Sequence, residues 1–291
     1  MASTTDLSYD NVSVHGGHSG TYCGHAKDTL REVVQAYADN NFAWVCLTEH
    51  MPTQNKLLIP PEETQQGFQP DQLQARFDAY FKEARQLQDE YQDRLDILVG
   101  FETEAYTGYE QEVADLIRQH QPDMIVGSVH HLRDILFDGG PEYYARTVEA
   151  CGSIEAMYCE YFDRQLELIN RFEPAVVGHF DLIRIHDPEY VDRWAVPAIR
   201  ERCIRNLNRI KELDLILDLN VRSLHKGAPE PYISAPWLAY AIEHDIHIAP
   251  GDDSHGVASV AAYMDQAVST LVAAGGHTNW PRPALARHVT R

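Results

Sequence analysis

The segment "HGGHSGTYCGH" places His15, His18 and His25 within eleven residues. Imidazoles this close together suit a metal ion better than a packed interior, where a histidine needs no neighbour of its own kind. Comparable residues recur at six further points: Glu49 with His50, Glu102 with Glu104, His130 with His131, His179 with Asp181, Asp218 with Asn220, and Asp252 and Asp253 with His255. Nitrogen and oxygen donors without thiolates suit Zn, Mn or Fe. The donors outnumber what one tetrahedral site uses. A carboxylate can bridge two ions about 3.5–4 Å apart, an arrangement that serves phosphoester hydrolysis. No GxxxxGK[ST], GxGxxG or GxSxG pattern occurs, which leaves nucleotide-cradling loops and a serine nucleophile elbow unsupported.

The elements that must position these residues are legible as seven short apolar runs: 11–15, 44–50, 97–104, 124–131, 175–181, 215–220 and 246–255. Near-continuous apolar runs of this length read as strands buried on both faces. Segments of helical period alternate with them, including "DTLREVVQAYADN", the block 141–172 and "VPAIRERCIRNLNRIKEL". That alternation predicts βα units with right-handed crossovers. Every run ends in a histidine or carboxylate. An open sheet gathers its chemistry at one switch point. A barrel collects it from the C-terminal ends of most strands. The expected fold is therefore an α/β, distorted (β/α)7 TIM-like barrel with a polynuclear metal site at the C-terminal ends of the strands. One domain over 1–291 is expected, with its core at about 11–276 and a short C-terminal tail.

Side-chain alternation puts Glu102 and Glu104 on one face, so one is expected to bridge ions and the other to support it. The same alternation puts His130 and His131 on opposite faces, so only one is expected at the barrel mouth. His120, His244, His247, His277 and His288 fall in helices, at buried strand ends or in the tail, and Cys23 reads as packing. The segment 51–70 is long enough to form a lid.

The formal net charge of −20 argues against a nucleic-acid partner. No run of eighteen apolar residues and no secretory leader is apparent, so no membrane partner is expected. Five cysteines form no CxxC pair and read as reduced thiols in a cytoplasmic protein.

The pieces "VHGGHSGTYCGHA", "LTEHMP", "VGFETEAY", "IVGSVHHL", "VGHFDL", "LDLN" and "GDDSH" run in order from about residue 12 to 262. Together they resemble the PHP (polymerase and histidinol phosphatase) superfamily, and within it the stand-alone histidinol-phosphate phosphatases. The resemblance implies three divalent metal ions. It implies His15, His18, Glu102 and Asp253 on one, Glu102, His130 and His179 on a second, and His25, His50 and His255 on a third. It prefers Glu102 to Glu104 and His130 to His131. The family usually has one residue between its opening histidines; here there are two, so Gly16 and Gly17 must form a bulge for both rings to face one way.

The function expected is hydrolysis of a small-molecule phosphate monoester, with a metal-bridging hydroxide as nucleophile. Asp253, His255 and Glu102 are the expected catalytic residues. Arg184, Arg222, His225 and Lys226 follow the fifth and sixth strands and are candidates to grip phosphate oxygens. The resemblance implies L-histidinol phosphate, of histidine biosynthesis, as substrate. The alternatives are another phosphoesterase acting on a nucleotide or sugar phosphate, a metal-dependent amidohydrolase, and a non-catalytic metal-binding module.

Overall fold

The structure, a computed structural model, describes residues 9–284. Its frame is seven parallel strands: β1 (Asn11–Gly16), β2 (Phe42–His50), β3 (Asp96–Glu102), β4 (Met124–Gly127), β7 (Val176–Val177), β8 (Ile216–Asn220) and β9 (His247–Gly251). They pair in chain order. Two further strands, β5 (His131–Leu132) and β6 (Ile135–Leu136), form an antiparallel hairpin beyond β4. The sheet ends β9 and β1 come together without a regular ladder. Asp253 N–H donates to the His15 carbonyl at 2.7 Å, His18 N–H donates to the Ser254 carbonyl at 2.9 Å, and Ser13 Oγ donates to Asp252 at 2.8 Å. The result is the nearly closed α/β barrel expected from the alternation.

The larger helices are α1 (Leu30–Asp39), α3 (Pro70–Tyr91), α4 (Tyr109–His120), α5 (Pro141–Cys151), α6 (Ile154–Phe172), α8 (Pro197–Glu212), α10 (Ala235–Glu243) and α11 (Met264–Ala273). Short helices α2 (Pro61–Gln65), α7 (Tyr190–Arg193) and α9 (Arg222–His225) lie in the connections. Local chemistry sets their ends. Thr29 and Glu32 form a reciprocal capping box at the start of α1. The block 141–172 is two helices because Gly152, at φ +91°, ends α5 and Ser153 caps α6.

Every barrel strand contributes to one interior apolar cluster: Val14, Cys46, Leu98, Met124 with Val126, Val176, Ile216 and Ala249. Trp280 of the C-terminal segment packs against this cluster and donates its indole N–H to the Asp10 carbonyl at 2.9 Å. The described part of the tail therefore covers the N-terminal end of the barrel. Alternation along the strands then decides what faces the opposite end. His50 follows Cys46 and Glu102 follows Leu98 by four residues, and Asp218 follows Ile216 by two, each pair within one strand. Even spacing keeps these on the interior face, while His18 and Asp253 lie just past the ends of β1 and β9.

Candidate metal centre

Glu102, the last residue of β3, is buried at the centre of the site. Its Oε2 lies 3.2 Å from His15 Nε2, 3.1 Å from His50 Nδ1 and 3.9 Å from His18 Nε2. Its Oε1 lies 2.9 Å from His179 Nε2 and 3.4 Å from His130 Nε2. One carboxylate thus meets imidazoles from β1, β2 and the segments after β4 and β7.

Strand alternation alone would turn His15 away from His18. Instead, β1 shifts register against β2 between Ser13 and Gly16, and Gly17 takes φ +79°. The bulge brings both rings inward, with centroids 5.8 Å apart. A side chain at Gly16 would collide with the Asp252 carboxylate and the Tyr37 hydroxyl. Asp218 Oδ2 then holds His15 Nδ1 at 2.8 Å, while Asn220 Nδ2 donates to Asp218 at 2.9 Å and to Asp253 at 3.1 Å. Glu49 faces His18 Nδ1 at 3.3 Å. A carboxylate behind an imidazole fixes the ring and aims its other nitrogen. His15 Nε2 and His18 Nε2 are both buried and have no hydrogen-bond partner.

His130 Nε2 and His179 Nε2 sit 3.2 Å apart, both beside Glu102 Oε1. Glu104 Oε2 braces His130 Nδ1 at 2.9 Å. The same oxygen meets His131 Nδ1 at 3.1 Å, which corrects the expectation that His130 and His131 diverge. β4 ends at Gly127, so strand alternation no longer governs these residues, and both rings reach one carboxylate.

A further group stands at the outer side. His25 Nε2 and His255 Nε2 face each other at 2.9 Å, and His50 lies beside them. Cys23 Sγ is 3.3 Å from His25 Nδ1. The thiol belongs to this cluster of donors rather than to the general packing expected of it.

The electrostatics follow from this crowding. Burial alone would raise Glu102, but His15, His130 and His50 hold it well below the usual carboxylate range. Asp253 is lowered against its burial by His15 and His18. In return Glu102, Asp253 and Asp218 outweigh burial and lift His15 well above the ordinary value, and Glu104 and Glu102 do the same for His130. His50 rises to about 9 through Glu102 and Glu104. His25 goes the other way, to about 3, through burial and the neighbouring His50, His18 and Arg222. Burial and His18 press His255 well down too.

Five sets of donor atoms lie within 4.8 Å of one another: His15, His18 and Glu102; His15, His179 and Asp253; His18, Asp253 and His255; Glu102, His130 and His179; and Cys23, His25, His50 and His255. Each of the nine ligands expected from the sequence falls in at least one set. Buried imidazole nitrogens without partners are costly unless something accepts their lone pairs. Divalent cations fit this donor set.

The PHP domain family model matches residues 16–222. The chain belongs to the PHP family. A Schizosaccharomyces pombe relative named "Probable histidinol-phosphatase" is 33% identical over 89% of this chain and 85% of its own length. A Saccharomyces cerevisiae histidinol-phosphatase is 28% identical over 89% of this chain and 87% of its own. A crystal structure of histidinol phosphate phosphatase from Lactococcus lactis, complexed with Zn, L-histidinol and phosphate, superimposes with a TM-score of 0.70. It is 23% identical and the match covers 93% of this chain and 95% of that one.

In this PHP chain the metal cluster forms the floor of a cavity of about 290 Å³. Arg222 and Lys226, from α9 and the residue after it, line the cavity. The other two cation candidates do not. Arg184 is buried beside Asp181 and donates to the carbonyls of Glu230 at 3.2 Å and Pro231 at 2.7 Å, with Tyr190 and Tyr232 on its faces. His225 packs edge-on to Tyr263, 4.8 Å between centroids. Position after a strand set all four as candidates; only the local turn decides which side chain points at the mouth. Of the segment 51–70, Met51, Pro52, Thr53, Leu58, Pro60, Glu62 and Glu63 form one wall, and Leu136 of β6 with Asp138 and Gly139 just after the hairpin form another. Glu104, expected to support Glu102, braces His130, whereas the bracing roles of Asp218 and Asn220, and the place of Glu63, were not assigned by sequence reasoning. The signal for Asp218 and Asn220 was their position at a strand end; for Glu63 there was none. Among the described residues no helix is long and apolar enough to cross a membrane.

Proposed function

We propose that this chain is a metal-dependent phosphate monoester hydrolase acting on L-histidinol phosphate. The observation that carries the reading is Glu102, one buried carboxylate with imidazoles crowded at both oxygens on the floor of a cavity. Relatives of matching length named histidinol-phosphatase support the substrate. Three divalent ions, Zn, Mn or Fe, are assigned to the donors: His15, His18, Glu102 and Asp253 to one, Glu102, His130 and His179 to another, and His25, His50 and His255 to the last. Bound ions supply positive charge that screens the phosphoryl dianion and makes water acidic enough to attack at neutral pH.

The chain's own residues do the rest. Arg222 and Lys226 hold phosphoryl oxygens from the rim. Asp218 and Glu104 keep the His15 and His130 rings fixed, so no reorganisation is needed as charge develops. Asp253 Oδ1 lies 3.5 Å from both His18 Nε2 and His255 Nδ1. It accepts a hydrogen bond from the attacking water and orients it, and the proton that the water loses is taken up by the leaving alkoxide. The protein's five free cysteines fit a reducing compartment, and we place it in the cytoplasm.

The test is phosphate release from L-histidinol phosphate by the purified protein, with and without a strong chelator, beside Asp253→Asn. Release abolished by both treatments is the expected result. No release from a protein that retains its metal would end the assignment.

A further inference from the structure

Glu63 is the feature of the cavity that the metal chemistry does not use. It sits on α2, in the wall built by segment 51–70, and is only 6% exposed. Its Oε1 accepts the Gly24 backbone N–H at 2.7 Å, which fixes the carboxylate in place. Its Oε2 is buried and has no hydrogen-bond partner. Glu63 belongs to none of the donor sets that can hold an ion.

A buried carboxylate oxygen without a donor is expensive unless a partner arrives with the ligand. The cavity's basic side chains, Arg222 and Lys226, are committed to the phosphoryl end in the reading above, and neither forms a hydrogen bond to the Glu63 carboxylate, whose Oε1 is held by Gly24 and whose Oε2 has no partner. Leu58, Leu73 and Phe77 line the same cavity and add an apolar wall suited to a flat or aliphatic body. The cavity therefore has a cationic end for phosphate and a carboxylate on a separate, partly apolar wall.

We propose that Glu63 is a specificity-determining residue: its Oε2 receives a cationic nitrogen on the leaving alcohol of the ester. This rests on the phosphatase reading, and it adds the residue that selects positively charged alcohols over neutral ones. Because the Gly24 N–H belongs to the loop that carries His25, the same contact sets the Glu63 carboxylate at a fixed distance from the metal cluster.

The experiment is the ratio of kcat/KM for a cationic ester to kcat/KM for a neutral one, in the wild-type protein and in Glu63→Gln at saturating metal. L-Histidinol phosphate and phosphoethanolamine serve as cationic probes, p-nitrophenyl phosphate and glycerol phosphate as neutral ones. The wild type is expected to favour cationic esters, and Glu63→Gln to lower that ratio about 10- to 100-fold, mainly through KM, the loss expected for one hydrogen bond to a charged group. Metal per chain, measured in parallel, stays at the wild-type level. An unchanged ratio, a wild type without preference for cationic esters, or a variant that loses metal would each overturn the proposal, the last by making Glu63 a ligand. If Glu63→Gln does not fold, Glu63→Asp carries the test: retracting the carboxylate by one methylene lowers the same ratio, and an unchanged ratio counts against the proposal. A wild type that ignores L-histidinol phosphate yet favours phosphoethanolamine would sink the substrate assignment while leaving Glu63 in its role.

Discussion

His25 Nε2 and His255 Nε2 point at each other across 2.9 Å. Burial, together with His18, Arg222 and other imidazoles, disfavours the second, charging proton on both rings. Two neutral imidazoles aimed at one point, with His50 beside them, offer lone pairs that a cation can take without first displacing a proton from either. Replacing His255 with alanine is therefore expected to remove about one ion per chain and leave the ions on the Glu102 side in place. Metal analysis of the dialysed variant checks this. Loss of all metal would mean that the clusters are not separable.

The inner cluster behaves differently. His15, His50 and His130 are all raised by the buried carboxylates around them, so in the metal-free protein they hold protons at pH 7. Loading metal at that pH is expected to release about three protons, with affinity falling steeply as pH drops. Calorimetry in buffers of different ionisation heat measures the number, and zero release would contradict it. The same shifts fix the sign of a stability effect. A histidine raised in the folded state stabilises fully below its unfolded value near 6.5, and that contribution disappears as pH rises through the folded value. For His50 the window runs from roughly 6.5 to about 9. The metal-free protein should lose Tm across that window, and His50→Gln should lose less.

Gly16 has no room for a methyl group, because Asp252 and the Tyr37 hydroxyl fill the space. Gly16→Ala is expected to cost about 1–3 kcal/mol, an overpacking penalty, and to lower Tm by roughly 2–4 °C per kcal/mol. It should also weaken metal binding at His15 and His18, since the bulge brings both rings inward. Thermal unfolding with and without added metal separates the two effects. A variant with wild-type Tm and full metal content would show that the close packing around Gly16 does not matter.

That glycine also shows where a linear reading succeeds. "HGGH" announces its own irregularity: two histidines at the wrong interval for a strand, joined by the two residues best able to bulge. A cluster of donors was legible because metal chemistry needs particular side chains and barrels place them at strand ends; the choice of nine among them came from the family resemblance. Parity is a sound guide at Glu102, the last residue of a regular strand. It failed for His130 and His131, where β4 had already stopped. Arg184 and His225 were misplaced for a related reason. Their turns curl the side chains against Pro231 and Tyr263, and a turn's direction depends on tertiary partners that no local pattern records. Glu63 was invisible because the short helix α2 reaches the cavity wall only through the folded path of its loop.

Arg184 and Arg222 make the sharpest contrast between a residue that holds the fold and one that serves the site. Both are arginines just beyond a barrel strand. Arg222 lines the cavity and its charge is felt by His25 and His255. Arg222→Gln should raise KM for the phosphate ester about tenfold, the worth of one charge-assisted contact, with little change in Tm. Arg184 is enclosed by Asp181, two carbonyls and two aromatic rings. Removing it leaves Asp181 buried without its cation, although Ser234 still donates to that carboxylate through its backbone N–H at 2.8 Å and its hydroxyl. Arg184→Ala is accordingly expected to destabilise by about 3 kcal/mol and to lower the amount of folded enzyme. KM in the fraction that remains folded should change less than in Arg222→Gln. Steady-state kinetics beside denaturant unfolding distinguishes the two. If Arg184→Ala instead keeps its stability and loses substrate affinity, the guanidinium turns toward phosphate in the working enzyme, and its contacts with Glu230 and Pro231 belong only to the resting state.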